Sequence, residues 1–119
     1  MKIDIYTHVM LPKYKNAIYK YSDKFETEKN FMEKRITLTN HNERIRILDR
    51  YEDMAQVLSA TFPTLEDTVN PKEAAELARI SNDEMAEWVA KNPKKYIAAI
   101  ANLPLNHIDA ATKEAERAI

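Results

Sequence analysis

Residues 2–8 alternate bulky apolar and polar side chains. A period of two predicts a strand whose successive side chains point to opposite faces. On an unbroken strand Asp4, Tyr6 and His8 share one face, and Ile3, Ile5 and Thr7 share the other. Pro12 then suits a first helical position, and Tyr14, Ala17, Ile18 and Tyr21 follow at i, i+3, i+4 and i+7, which predicts a helix over 12–21. Residues 22–40 carry mixed charges without a clean period and read as a loop with room for one helical turn at 28–35. Asn40 or Asn42 can cap a helix over 42–52, whose apolar stripe is Ile45, Leu48 and Tyr51. Residues 54–60 are a short apolar run, the pattern of a strand buried on both faces.

The clearest element comes next. Asn70 as N-cap, Pro71 at the first helical position and Glu73 two residues later approximate a capping box for a helix over 70–91. Its apolar face runs Ala74, Leu77, Ala78, Ser81, Met85 and Trp88, and Asn92-Pro93 stops it. Trp88 and Met85 on that stripe read as core. A second apolar run at 96–103 predicts another strand, and Asn106 caps a last helix over 107–119. Strands alternating with helices imply βαβ units and a parallel sheet, so the fold class is α/β, in a single domain. Three parallel strands leave two open edges, and the last helix lacks a terminating Gly or Asn. Both features predict the N-terminal portion of a larger α/β architecture, with the open edges available for self-association.

Composition narrows the chemistry. A net charge of −1 leaves no electrostatic footprint for nucleic acid, and no apolar run approaches a membrane span. There is no cysteine, which removes disulfides and thiolate chemistry and suits the cytoplasm. There is no glycine either, which excludes every Gly-rich phosphate loop. What remains is a polar constellation on the first strand. His8 can supply a neutral imidazole nitrogen to a metal. Tyr6 is a weaker donor, since a phenol must lose a proton of pKa near 10 to coordinate strongly. It can fill a metal pocket and leave it empty, donate a hydrogen bond to substrate beside a metal held by other residues, or ligate a harder metal such as iron. Asp4 reads as a structural contact at the bottom of the sheet. Ser59 and Thr61 after the second strand, and Asn102 after the third, would face the same mouth. His41 and His107 read as solvated loop residues, and Arg44 and Arg46 as a solvated helix face paired with Glu43 and Asp49.

Three stretches give the chain a family likeness. They are Ile3-Asp4-Ile5-Tyr6-Thr7-His8; Arg44-Ile45-Arg46-Ile47-Leu48-Asp49 running into Gln56-Val57-Leu58-Ser59; and Glu76 through Asn92-Pro93-Lys94-Lys95-Tyr96 to Asn102-Leu103-Pro104. In this order they resemble the N-terminal third of the amidohydrolase-related metal-dependent proteins, in the branch around aminocarboxymuconate-semialdehyde decarboxylase. The resemblance implies the first β/α units of a (β/α)8 TIM barrel, with its site at the C-terminal ends of the strands. It implies a divalent metal, most often zinc, with His8 at a ligand position, and a small-molecule substrate, carboxylated and of cyclic or aromatic type. Two positions depart from the pattern: Tyr6 stands where the family has its first histidine, and Glu52 where it commonly has Gly. The family's later His and Asp ligands have no counterpart among these residues. Two functions follow. The chain is part of a metal-dependent hydrolase or non-oxidative decarboxylase, or it is a non-catalytic barrel piece that acts by associating with itself or another chain.

Overall fold

The computed structural model describes residues 1–119. Three strands form one sheet in the order β1-β2-β3: β1 (Lys2–Val9), β2 (Met54–Ala60) and β3 (Tyr96–Ala99). Both pairings are parallel. Between β1 and β2 lie α1 (Pro12–Ile18), a 3₁₀ segment (Tyr19–Lys24), α2 (Glu26–Glu33), α3 (Ile36–Thr39) and α4 (His41–Leu48). Between β2 and β3 lie α5 (Leu65–Thr68) and α6 (Pro71–Lys91), and α7 (Ile108–Ala118) closes the chain. No helix is long and apolar enough to cross a membrane.

The helices cover one face of the sheet. The core between them holds Val9, Met10, Leu11, Tyr14, Ile18 and Leu58, joined by Leu77, Ala78, Met85 and Tyr96. The other face has no helical cover. Ile3, Ile5, Ile97 and Ile100 are exposed there, at 47%, 69%, 39% and 53%. β2 is buried or half-buried along its whole length, with Ala55 and Leu58 fully buried, whereas β3 is buried only at Tyr96, short of the burial on both faces expected for it.

Several boundaries differ from the sequence pattern. The first helix ends at Ile18 and not at 21, because the chain tightens into the 3₁₀ segment, where Tyr21 leaves helical geometry at φ −109° and ψ 18°. The stretch 22–40, read as a loop with room for one helical turn at 28–35, contains α2, which overlaps that turn, and α3. Its only fully buried side chains are Phe25 and Met32, too sparse to print a helical period. The helix expected over 42–52 runs 41–48, and the strand expected over 96–103 pairs only at 96–99. Beyond Ala99 one backbone bond continues, from Ile100 N–H to the Leu58 carbonyl at 2.8 Å.

The capping box of α6 is complete: Asn70 Oδ1 accepts from Glu73 N–H and Glu73 Oε2 accepts from Asn70 N–H. The cap of α7 is His107, whose Nδ1 accepts from Ala110 N–H at 3.3 Å, while Asn106 donates to the Val69 carbonyl. His107 is thus a cap and not merely a solvated loop residue.

The start of α1 has no local cap, because Leu11 and Pro12 offer no side-chain acceptor. Glu84, on α6, fills the role from across the core. Its two carboxylate oxygens accept from Lys13 N–H and Tyr14 N–H, both at 2.9 Å. Glu84 is only 3% exposed, so its charge is satisfied by these amides and by the positive end of α1. Alongside it Lys13 Nζ pairs with Glu87 at 2.7 Å. Replacing Glu84 by Ala leaves two main-chain amides without partners, that of Tyr14 buried and that of Lys13 partly so. Urea unfolding should show a loss of about 3 kcal/mol, whereas Glu84→Gln, which keeps one good acceptor, should lose about 1 kcal/mol.

Candidate functional site

The faces of β1 are set by a bulge. Asp4 pairs with Gln56, but Thr7 pairs with Leu58 and His8 with Ser59, so β1 carries one extra residue between Asp4 and Thr7. Gln56 and Ser59 are three apart on β2 and face opposite ways. Asp4 and His8 therefore lie on opposite faces, and the single polar face expected of Asp4, Tyr6 and His8 does not form. Thr7 is buried on the helix side, away from Ile3 and Ile5. The bulge frees the Tyr6 N–H, and Asp4 Oδ1 accepts it at 3.2 Å. That local bond is what Asp4 does.

Past the bulge, Tyr6 and His8 reach the C-terminal ends of the strands. They line a cavity of about 480 Å³ with Thr61 beyond β2 and Asn102 beyond β3. Its remaining wall is mostly apolar, from Phe62, Pro63, Leu65, Leu103 and Leu105. Of the residues picked out from the sequence, Tyr6, His8, Thr61 and Asn102 meet here. Ser59 does not line the cavity but stands behind it: its Oγ lies 3.1 Å from the Thr7 carbonyl and 3.0 Å from His8 Nδ1. The serine has one hydroxyl proton. Donated to the carbonyl, it leaves Oγ to accept from His8 Nδ1–H, and the lone pair of His8 then sits on Nε2.

Tyr6 packs its ring edge on His8, with centroids 4.9 Å apart at 69°. Its side chain is 81% exposed.

The main chain at His8 is held from the other side by Arg44. This residue is 7% exposed, against the solvated helix face expected for it. Its guanidinium donates to the His8 carbonyl at 2.9 Å, to the Thr37 carbonyl at 3.2 Å and twice to Gln56 Oε1 at 3.0 and 2.8 Å. Arg46 does lie on the open side of α4, paired with Glu43, whereas Asp49 pairs with Lys95.

Asn102 is held in a comparable way. Asn82, buried on α6, accepts from Asn102 N–H at 2.7 Å and donates to the Asn102 carbonyl at 2.9 Å. Its amide thus replaces the neighbouring strand that this segment lacks. The same Nδ2 donates to Glu114 on α7 at 2.8 Å, and Arg117 closes the chain of bonds to Glu114 and Asp83. The Arg117 hydrogen bond holds the Glu114 carboxyl below its usual range. Behind Asn102 lies the Tyr14 phenol, which burial pushes up to about 12; the Asn102 amide is near enough to oppose that shift but does not meet the hydroxyl as a hydrogen-bond partner. Nothing in the sequence marked Asn82, since an Asn within a helical stripe looks like any solvated position.

The electrostatics of the wall are simple. Glu66 carries its one fixed charge, and no Lys or Arg lines the cavity. One imidazole and one carboxylate line it, and no group of three or more His, Cys, Asp or Glu side chains stands together anywhere in the chain to hold an ion. These residues alone therefore do not fit a metal site, which needs three protein ligands.

No family model matches the chain. Individual proteins do. It is 36% identical over 76 residues to the γ-resorcylate decarboxylase of Rhizobium radiobacter, covering 64% of this chain and 23% of that protein. It is 27% identical to the 2-amino-3-carboxymuconate-6-semialdehyde decarboxylase of Dictyostelium discoideum, covering 100% of this chain and 37% of the relative. Its structure matches that of a dihydroxybenzoic acid decarboxylase from Polaromonas, solved with bound manganese and the inhibitor 2-nitroresorcinol, at a TM-score of 0.73 and 29% identity, over 98% of this chain and 34% of that one. The chain is a homologue of the amidohydrolase-related, metal-dependent decarboxylases of the aminocarboxymuconate-semialdehyde decarboxylase branch. It spans about a quarter to a third of the length of these relatives, and its three parallel strands with flanking helices are a part of their TIM barrel.

Outside the cavity, His41 belongs to an aromatic cluster and is not a solvated loop residue. Its ring lies 3.8 Å from that of Trp88, and its Nδ1 is 3.5 Å from the Tyr96 hydroxyl. Burial lowers its pKa, and the Arg44 and Lys91 charges lower it further. The unfolded chain, with an ordinary imidazole near 6.5, then takes up a proton that the folded chain resists. This contribution is complete above that value and is lost as pH falls below it. Urea midpoints should therefore drop between pH 7.5 and 5.5, and His41→Gln should flatten that slope. At the site itself, Asn82→Ala should cost about 2 kcal/mol by the same measurement and shift the Asn102 amide resonance, because the backbone of Asn102 loses both partners.

Proposed function

We infer that this chain provides the first three β/α units of a metal-dependent decarboxylase acting on a small carboxylated aromatic or cyclic substrate. The observation that carries the reading is His8. It stands at the mouth of three parallel strands with Nδ1 within hydrogen-bond distance of Ser59 Oγ and its main chain tied by Arg44. A ligating histidine is usually fixed through its other nitrogen in this manner. The relatives are decarboxylases, which favours that reaction over hydrolysis. His8 contributes one donor to a divalent ion, and the other donors come from outside these residues. Zinc was the expectation from family likeness; the Polaromonas relative holds manganese, and we favour manganese here. Thr61 and Asn102 take the substrate side of the cavity, with Tyr6 as a hydrogen-bond donor in place of the family's histidine. The cysteine-free composition suits a reducing compartment, the cytoplasm.

A second reading has its own observation. The uncovered sheet face, with Ile3, Ile5, Ile97 and Ile100 exposed, fits a chain that acts by associating with a second copy of itself or with another polypeptide.

A chimaera separates the readings. Residues 1–119 replace the matching third of the Rhizobium γ-resorcylate decarboxylase, and folding is checked by circular dichroism. On the enzyme reading it binds about one divalent ion and releases CO₂ from γ-resorcylate. His8→Ala removes the ion, and Ser59→Ala weakens ion binding or turnover by about tenfold. A folded chimaera that holds no ion, or holds one and is inert, overturns this reading. For the 119-residue chain itself, sedimentation should show a dimer or larger species on the association reading, and a monomer counts against it.

A further inference from the structure

The third strand loses its ladder where it reaches the cavity. Its last bond runs from Ile100 N–H to the Leu58 carbonyl, and Ala101, Asn102 and Leu103 follow along the cavity wall without a main-chain bond to another strand. Asn102 is held instead by the buried amide of Asn82, and that amide fits its three partners in one orientation only. One Nδ2 hydrogen goes to the Asn102 carbonyl at 2.9 Å and the other to Glu114 Oε1 at 2.8 Å, while Oδ1 accepts from Asn102 N–H at 2.7 Å. Turned by half a circle, the amide would set its oxygen against two acceptors and its nitrogen against a donor.

Glu114 does not line the cavity, yet it is the one of these partners that comes from outside the strand end. It is 8% exposed on α7, and Arg117 grips both of its oxygens, Nε to Oε2 at 2.8 Å and Nη2 to Oε1 at 2.7 Å. Arg117 Nη1 in turn pairs with Asp83 on α6 at 2.7 Å, so the carboxylate is fixed from behind before it meets Asn82. We propose that Glu114 is a positioning residue of the cavity: from α7 it selects the orientation of the Asn82 amide and through it sets where Asn102 stands on the wall. Its bearing on substrate binding rests on the reading that Asn102 takes the substrate side of the cavity; the placement of Asn102 does not. The helix α7 is thus part of the site's framework and not only cover for α6.

Amide hydrogen exchange on the 119-residue chain, followed in nitrogen-15 spectra, tests the placement. Asn102 is read against Ile100, whose ladder bond reports general opening. Glu114→Met keeps bulk and helix propensity but offers no oxygen, and the Asn102 rate should rise at least about tenfold more than that of Ile100. Glu114→Gln still offers an oxygen to Asn82 and should return the ratio to within about threefold of the unaltered chain. Arg117→Met removes the outer pairs of α7 but leaves that oxygen, and should move the ratio by less than about threefold. Equal rises at Asn102 and Ile100 in Glu114→Met mean general loosening and overturn the proposal, as does a Gln variant no better than Met or an Arg117→Met variant that matches it. Should Glu114→Met not fold, Glu114→Asp, one methylene short of Asn82, is read by the same ratio and the same expectation. In the chimaera, Glu114→Met should raise the KM for γ-resorcylate at least about fivefold with kcat held within about threefold, and Glu114→Gln should restore it. An unmoved KM overturns the bearing on substrate binding. An inert parent chimaera fails the decarboxylase reading instead, and the exchange ratios then decide the placement of Asn102 alone.

Discussion

The guanidinium of Arg44 is the contact on which most of the site depends. It reaches from α4 under the sheet and bonds α3 through Thr37, β1 through the His8 carbonyl and β2 through Gln56. Burying such a charge is costly unless its donors are met, and hydrogen bonds meet four of its five N–H groups. Burial still lowers its pKa, with Tyr96 and Asp4 opposing that shift. The planar fork cannot make these bonds unless β1 and β2 hold their register at His8, so the bonds and the register support each other. His8 is consequently held at its carbonyl by Arg44 and at its ring by Ser59.

The same device recurs at two other places. Glu84 caps α1 from α6, and Asn82 receives the main chain of Asn102 as a neighbouring strand would. In each case a long polar side chain on a helix satisfies backbone groups that regular structure leaves open. The chain has no glycine, so its irregular segments stay in ordinary backbone regions, and no residue adopts a positive φ. Side-chain bonds across the core, and not special turn geometry, hold the strand ends in place. The result is a firm helix-covered side and an open side whose apolar residues match the surface a barrel turns toward its axis.

Much of this was legible in the residues. The Asn70-Pro71-Glu73 signal located α6 to within a residue, because capping is a local interaction between neighbours in sequence. The period-two run at the N-terminus located β1, and His8, Tyr6, Thr61 and Asn102 were brought to one cavity as strand-end positions in a parallel sheet should be. The faces of β1 were misread because alternation assumes an unbroken ladder, and the bulge at Asp4–Thr7 exists only in the pairing with β2. The extent of helix within residues 22–40 was not legible, because only Phe25 and Met32, with Leu38 partly buried, anchor the stretch to the core. The burial of Arg44 and His41 was invisible, since a charged or polar residue on a helix looks the same in sequence whether or not a partner awaits it.

By itself the sequence determined the α/β class, the order of strands and helices, the capping of α6 and the family likeness, all of which rest on spacing between near neighbours. Only the tertiary structure decided which way His8 faces, what orients it, and which polar groups hold Asn102 and α1. The reason is distance along the chain. His8 and Ser59, Lys13 and Glu84, and Asn82 and Asn102 lie 51, 71 and 20 residues apart, and no local pattern encodes which of many polar residues will meet across such separations.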